Sequence, residues 1–278
     1  MYEIFKTVLI LSLFGFCIIA VLLCLKPITA KKFPAGWQYY VWLVVLLSMI
    51  IPVYKLIPER QVQRLSFITQ NQPVRQEVFR FDGNETEIII PEAKEEIYNE
   101  GTKQSVTPGL HIPHADIIAY IWLAGVCIYL ITIVSSYIIY IFRRRRRALA
   151  LSHNPVFDRV KNELKIKRNI RIRMSPEVGS PMLVGVLFPV VYIPCREISD
   201  ENMRMVFLHE LTHYKRKDLA FKWLSLFVNA VHWFNPLVYL LSANISEACE
   251  ISCDMAVTKN MSDEEQKSYM KTIVELVE

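Results

Sequence analysis

The sequence predicts a mainly α-helical membrane protein, with three transmembrane helices followed by a cytoplasmic α+β domain. Three observations carry this fold class. The 278 residues are 53% hydrophobic with a mean hydropathy of +0.25, above the usual apolar share of a soluble domain. Apolar residues gather into long uninterrupted runs, one of them closed by the consecutive arginines Arg143 to Arg147. The chain after those arginines is soluble in composition and switches between helical and alternating periodicity.

Residues 4–25 are apolar except for Lys6, Thr7 and Ser12. A helix of that length reaches about 33 Å at 1.5 Å per residue, enough to cross a hydrocarbon core of about 30 Å. A cleaved signal peptide is the competing reading. The run is too long for an h-region, no small-x-small site follows it, and Lys26, Lys31 and Lys32 come after it instead of before. It is read as a retained span. The second span covers Trp37 to Ile57, with Trp37, Tyr39, Tyr40 and Trp42 as an interfacial aromatic belt. Residues 1–58 thus hold two transmembrane helices. Residues 59–115 change character, with Glu92, Glu95, Glu96 and Glu100 among Pro73, Pro91, Pro108 and Pro113. Despite a β-like run at Glu87 to Ile90, little there can build a core, and a poorly ordered extracytoplasmic loop is expected.

The third span runs from Ile117 to Phe142 and stops at the arginines, giving a segment at 116–147. An isolated basic run raises the question of nucleic acid. Directly after an apolar span it reads as a cytoplasmic stop signal, so no direct nucleic-acid role is expected. The lysine loop at 26–32 is then inside, while residues 59–115 and the amino terminus are outside. The six cysteines show no disulfide spacing, and Cys17, Cys24 and Cys127 lie within apolar runs, which suits a catalytic half facing a reducing cytosol.

Residues 148–278 form the cytoplasmic-side domain. Phe157, Val160 and Leu164 stand at helical spacing, Asn169 to Met174 alternates as a strand, and Leu183 to Pro194 reads as a hairpin or strand pair with proline at its margins. Such a strand beside the helix that follows can leave a free edge for an extended peptide; an ordinary sheet is the plainer reading. The helix itself starts at Ser199, with Asp200 and Glu201 in its first turn, and no proline or glycine interrupts residues 200–222. Within it lies His209-Glu210-Leu211-Thr212-His213. Histidines four apart sit one turn above each other, so both imidazoles can reach one metal ion. Glu210 projects at the edge of that face, where a carboxylate can take a proton from an activated water without being a ligand. This is the zincin arrangement, and Zn2+ is the expected cofactor.

A catalytic zinc needs a third protein ligand and an open position. Glu247, Glu250 and Asp254 share one face of a downstream helical run, so spacing alone cannot choose among them, and Cys249 and Cys253 offer thiolates. The apolar stretch from Leu219 to Ile245 is long enough to span. As one straight crossing it would put Glu250 across the membrane from His209. Coordination therefore requires a turn back, and Asn235-Pro236 is the natural place because proline removes a helix donor and restricts the residue before it. The expectation is a hairpin of helices at about 219–233 and 236–258, at or in the inner membrane surface.

The spans, the basic stop, Gly185-Val186-Leu187-Phe188-Pro189-x-x-Tyr192-Ile193-Pro194, the histidine motif followed by Arg216 and Asp218, His232-Trp233-Phe234-Asn235-Pro236, and Glu250-x-x-Cys253-Asp254 together resemble the BlaR/MecR-type membrane metallopeptidases, bacterial antirepressors and signal transducers. The resemblance covers nearly the whole chain. It implies a gluzincin-type zinc metalloprotease domain with His209, His213 and Glu250 as metal ligands and Glu247 as the runner-up. It further implies Asp254 as the group orienting a ligand histidine, and Glu210 as the catalytic base. The implied substrate is a protein, a transcriptional repressor or the chain itself, cleaved at the cytoplasmic side of a bacterial multi-pass membrane protein; membrane lipid is a partner, and homo-oligomerisation stays open. In β-lactam-sensing members a fourth span and an extracellular penicillin-binding module with a Ser-x-x-Lys nucleophile follow. Residues 1–278 carry no such module, so β-lactam recognition is not supported by them; the helical run Glu264 to Glu278 ends without a cap, which fits a fragment and equally a shorter-type member with a different sensor. Two rivals remain: a quality-control membrane metalloprotease of the HtpX kind, and a non-catalytic receptor or scaffold whose metal site is closed by four protein ligands.

Overall fold

The computed structural model describes residues 1–33, 35–52, 114–151 and 153–277. The acidic loop expected before residue 114, its β-like run included, lies outside the described residues, as does the end of the second predicted span.

Helix α1 runs Tyr2–Lys32, α2 runs Ala35–Ser48 and α3 runs His114–Arg147. Two described helical segments are long and apolar enough to cross a membrane, Tyr2–Thr29 and Asp116–Arg147. Their apolar surface is mostly uncovered: Leu13, Phe14, Ile128 and Ile131 are all exposed, as lipid-facing side chains are and those of a soluble core are not. Helix α2, at 14 residues, measures about 21 Å, which is shorter than a hydrocarbon core. The four aromatics of its first turns divide by helical spacing. Trp37 and Tyr40 stay exposed, as belt residues would. Tyr39 and Trp42, three apart, instead turn inward with Leu46 and Met49 and pack against Ile19 of α1.

The domain after α3 begins with β1 (Leu149–Leu151) and α4 (Pro155–Glu163). The Asn154 side chain caps α4 by accepting from the Phe157 N–H at 3.0 Å, and Pro155 fills the first helical position. Strands β2 (Arg171–Ser175), β3 (Met182–Val184) and β4 (Val190–Pro194) complete a sheet of order β1-β2-β4-β3. Strands β2 and β4 are parallel, while β1 and β3 run antiparallel to their neighbours. The strand pair expected from Leu183 to Pro194 is thus a hairpin, with Leu183 opposite Val191. Its loop needs glycine at 185: φ is 93°, and a Cβ there would meet the Phe188 carbonyl oxygen at 2.5 Å.

Helix α5 (Asp200–Arg216) starts as expected, with Ser199 Oγ accepting from the Asn202 N–H at 3.3 Å. Its apolar face closes the core against α4 and the sheet: Phe207 and Leu211 meet Phe157, Val160, Val191 and Ile193. Helices α6 (Asp218–Val231), α7 (Leu237–Thr258) and α8 (Asp263–Val277) follow. Only Lys217, at φ 62°, separates α5 from α6. The predicted α6–α7 hairpin turns at Asn235-Pro236. Asn235 Oδ1 accepts from the Leu237 N–H at 3.0 Å, and its Nδ2 donates to the hydroxyl of Ser12 in α1 at 3.0 Å. His232 Nε2 lies 3.2 Å from the Met49 carbonyl oxygen, to which it donates. On the α3 side Gly125 admits Trp233, whose ring would stand 2.6 Å from any Cβ at that position. The hairpin is therefore pinned to the apolar helices at its tip, which fixes the height at which α7 returns beside α5.

Candidate metal centre

The turn back at Asn235-Pro236 brings α7 against α5, and the side chains of His209, His213 and Glu250 converge. The Nε2 atoms of the two histidines stand 3.0 Å apart. Glu250 Oε2 lies 3.2 Å from His213 Nε2 and 3.6 Å from His209 Nε2. A tetrahedral ion with bonds of about 2.0–2.2 Å holds its ligand atoms roughly 3.3–3.6 Å apart, so this triangle has the size a zinc ion would impose.

The far nitrogen of each imidazole is engaged. His213 Nδ1 donates to Asp218 Oδ2 at 2.8 Å, and Asp218, at 1% exposure, is itself held by Arg216 Nε at 3.1 Å and by the Tyr39 hydroxyl at 3.4 Å. Around His209 the Tyr269 hydroxyl of α8 lies 2.8 Å from Nδ1 and donates to Asp254 Oδ1 at 2.6 Å, and Asp254 Oδ1 is itself 3.1 Å from the same nitrogen. With Nδ1–H donating outward on both rings, each Nε2 lone pair faces the shared centre.

The surrounding carboxylates stabilise positive charge at that centre, a proton on each ring when no ion is bound and a metal that would displace it. Burial pulls both imidazoles toward the neutral form but is outweighed: hydrogen bonds to Asp254 and Glu250 push His209 up to about 10. Asp218, with Cys253 and Glu250, pushes His213 up to about 12. Burial would raise Glu250, yet the two histidines and Lys222, whose Nζ donates to Oε1 at 2.8 Å, hold its carboxyl far below the usual carboxylate range. Asp254 is likewise lowered, burial being outweighed by His209 and Tyr269.

Glu210 stands apart from this triangle. Burial pushes its carboxyl above its ordinary value, against the opposing pull of the two histidines. Its Oε2 accepts from the Leu183 N–H of β3 at 2.6 Å. A cavity of about 200 Å³ opens here, lined by His209, Glu210, His213, Lys222 and Glu250, with Leu183 on its rim. The arrangement offers a metal-sized nest of donors with a carboxylate of raised pKa beside it, both opening on the cavity.

The structure does not bring the runner-up carboxylate to the site. Glu247, 54% exposed, accepts from Lys26 Nζ of α1 at 2.7 Å. Cys249 is buried in the apolar cluster around Leu46 and Val238, and burial pushes its thiol up to about 11. Cys253 is nearer: its Sγ lies within 4.8 Å of a ring nitrogen of each histidine, so His209, His213 and Cys253 form another candidate ligand set, and the thiol donates to the His209 carbonyl at 3.5 Å. Glu250, unlike Cys253, also lines the cavity. Sequence reasoning missed Tyr269 and Lys222. Asp218 appeared in it only as part of the resemblance, because the turn at Lys217 that brings it to His213 is not marked in the sequence by glycine or proline.

A family model described as BlaR1 peptidase M56 matches residues 6–278. The chain belongs to the BlaR1 peptidase M56 family. Among its relatives, the regulatory protein BlaR1 of Bacillus licheniformis is 31% identical over 160 residues, covering 55% of this chain and 26% of that protein. The methicillin resistance mecR1 protein of Staphylococcus aureus is 25% identical over 256 residues, 85% of this chain and 40% of the relative. The regulatory protein BlaR1 of Staphylococcus aureus is 25% identical over 284 residues, 97% and 45% respectively. The chain thus spans less than half the length of these M56 relatives. A peptidase family with regulatory members and helices of membrane-spanning length agree with a membrane-associated signalling peptidase.

Proposed function

We propose that the chain is an integral-membrane zinc endopeptidase of signal transduction, with its active site on the cytoplasmic side, cleaving a repressor-type protein or itself. The observation that carries this reading is the convergence of His209, His213 and Glu250 to ligand spacing beside an elevated, non-ligand Glu210. The names of the relatives support the regulatory role. His209, His213 and Glu250 would hold Zn2+, with Asp254 and Tyr269 orienting the first imidazole and Asp218 the second. Bound zinc supplies Lewis acidity toward a scissile carbonyl and makes water more acidic.

The residues of this chain do the rest. Strand β3 is the outer strand of the described sheet and borders the cavity, so an extended peptide laid along it runs past Glu210. Glu210 takes the proton of the attacking water and passes it to the departing amine, a role that its raised pKa suits. The apolar lengths of α1 and α3 support a location in the bacterial cell membrane, and the arginines closing α3 support a cytoplasmic orientation of that end.

Glu210→Gln in the full chain tests the assignment. It should retain zinc, measured by elemental analysis, while peptide-bond cleavage falls by at least about a thousandfold, the scale on which a general base and its electrostatics act. Cleavage persisting in that variant would remove Glu210 from the chemistry.

A further inference from the structure

A second, larger cavity of about 800 Å³ lies between the last turns of α3, strand β2, the β3–β4 loop and α6. Its polar lining is one-sided. Arg145, Arg171 and Arg173 all face it, and among the described residues no carboxylate does. Nearby cations are already engaged: Arg147 pairs with Glu177 at 2.9 Å, and Arg144 stacks 3.6 Å from the Tyr140 ring centroid. Arg145, Arg171 and Arg173 form no such ion pair among the described residues.

The cavity is also graded in depth. Tyr137 and Ile141 lie two turns and one turn before Arg145 on the apolar helix, about 12 and 6 Å further along its axis. Trp223 of α6 meets Tyr137 edge-on at 4.7 Å and completes the apolar end. Beside it the β3–β4 loop carries Leu187 at 71% and Phe188 at 82% exposure. The Arg168 guanidinium donates to the Leu187 carbonyl and steadies that tip. Two large apolar side chains held out on a braced loop are unfavourable in water and favourable in the interfacial layer of a bilayer. The span end that lines the cavity sets its height at that same layer.

We propose that this cleft binds one anionic phospholipid, with its phosphate on Arg145, Arg171 and Arg173 and an acyl chain beside Tyr137, Ile141 and Trp223. A free phosphate would use the arginines but leave the apolar end unfilled, and an acidic peptide would have to reach a site at the end of a lipid-facing helix. The bound lipid ties α3 to the sheet that carries β3, beyond anything the peptidase reading requires.

Native mass spectrometry of the full chain, released from detergent micelles, tests the site with phosphatidylglycerol and phosphatidylcholine of matched chains. One phosphatidylglycerol should be retained in preference to phosphatidylcholine. Arg171→Gln should lower its retention about fivefold, as expected for one basic residue at an anionic surface, while Arg143→Gln leaves it unchanged. Phe188→Ser should also weaken it. Equal retention of the two lipids overturns the proposal. So does displacement of the lipid by inorganic phosphate alone or by a glutamate-rich peptide, or an equal loss in Arg171→Gln and Arg143→Gln, which would mean diffuse attraction to the basic surface. Arg171 and Phe188 are exposed, so the core is untouched, and the two-lipid comparison on the unaltered chain decides the matter even where a variant fails to assemble.

Discussion

Asp218 shows how much one side chain can be asked to do. Buried at 1% exposure, it accepts from His213, Arg216 and Tyr39 together, so its charge is shared among a candidate ligand, a guanidinium and a helix from the apolar half. Asp218→Asn keeps the shape but weakens the hold on the imidazole. Zinc affinity of that variant should fall about 10- to 100-fold, the usual effect of losing an outer carboxylate, as read by competition with a chromogenic chelator. Glu250 and Glu247 make a sharper pair. Glu250→Gln should strip stoichiometric zinc, whereas Glu247→Gln should leave zinc content intact and only loosen the contact with Lys26. The reverse result would mean that the carboxylates exchange places. From the sequence the histidines and Glu210 were readable because their spacing lies within one helix turn. Glu250 was not separable from Glu247 and Asp254, because three positions on one helix face differ only in how that helix is rotated toward its neighbour.

At the level of elements, the chain direction is governed by two short breaks. Asn235-Pro236 was legible beforehand, since proline's missing donor and its restriction of the residue before it announce a turn, which the Asn235 side chain then caps. The break at Lys217 was not, because no glycine or proline marks it and residues 200–222 read as continuous helix. The structure turns there in the left-handed region at φ 62°, which brings Asp218 back beneath His213. An L side chain in that region is held at a cost of about 1 kcal/mol. Lys217→Gly should therefore raise the thermal midpoint of the detergent-solubilised chain, and Lys217→Val, which adds β-branching at an exposed site, should lower it. A lower midpoint for the glycine variant would show that the lysine side chain contributes more than the backbone strain removes.

On the scale of the whole molecule, the candidate centre joins elements far apart in the chain. Helices α5 and α7 bring the ligand set, α8 brings Tyr269, and α2 reaches Asp218 through Tyr39. A bound ion therefore ties together parts that packing alone leaves as separate clusters, one among the apolar helices and one around the sheet. Chelation should lower the thermal midpoint of the full chain, by the linkage worth about 3–4 kcal/mol when free metal exceeds its dissociation constant by a hundred- to a thousandfold. The Glu250→Gln variant should lose that response to chelator. Equal shifts in both proteins would mean that the chelator acts elsewhere.

By itself, the sequence determined what depends on neighbours along the chain: the apolar runs of α1 and α3, the His-Glu-x-x-His face, the capped start of α5, the β3–β4 hairpin and the turn that returns α7. Helical and strand periodicities relate residues a few positions apart, so such features can be read before any fold is known. Tertiary structure alone decided that Glu250 and not Glu247 meets the histidines, that Tyr269 and Lys222 join them, and that Tyr39 and Trp42 pack inward. Those choices rest on how one helix is rotated and shifted against another, which depends on the summed packing of many side chains and leaves no local trace in the order of residues.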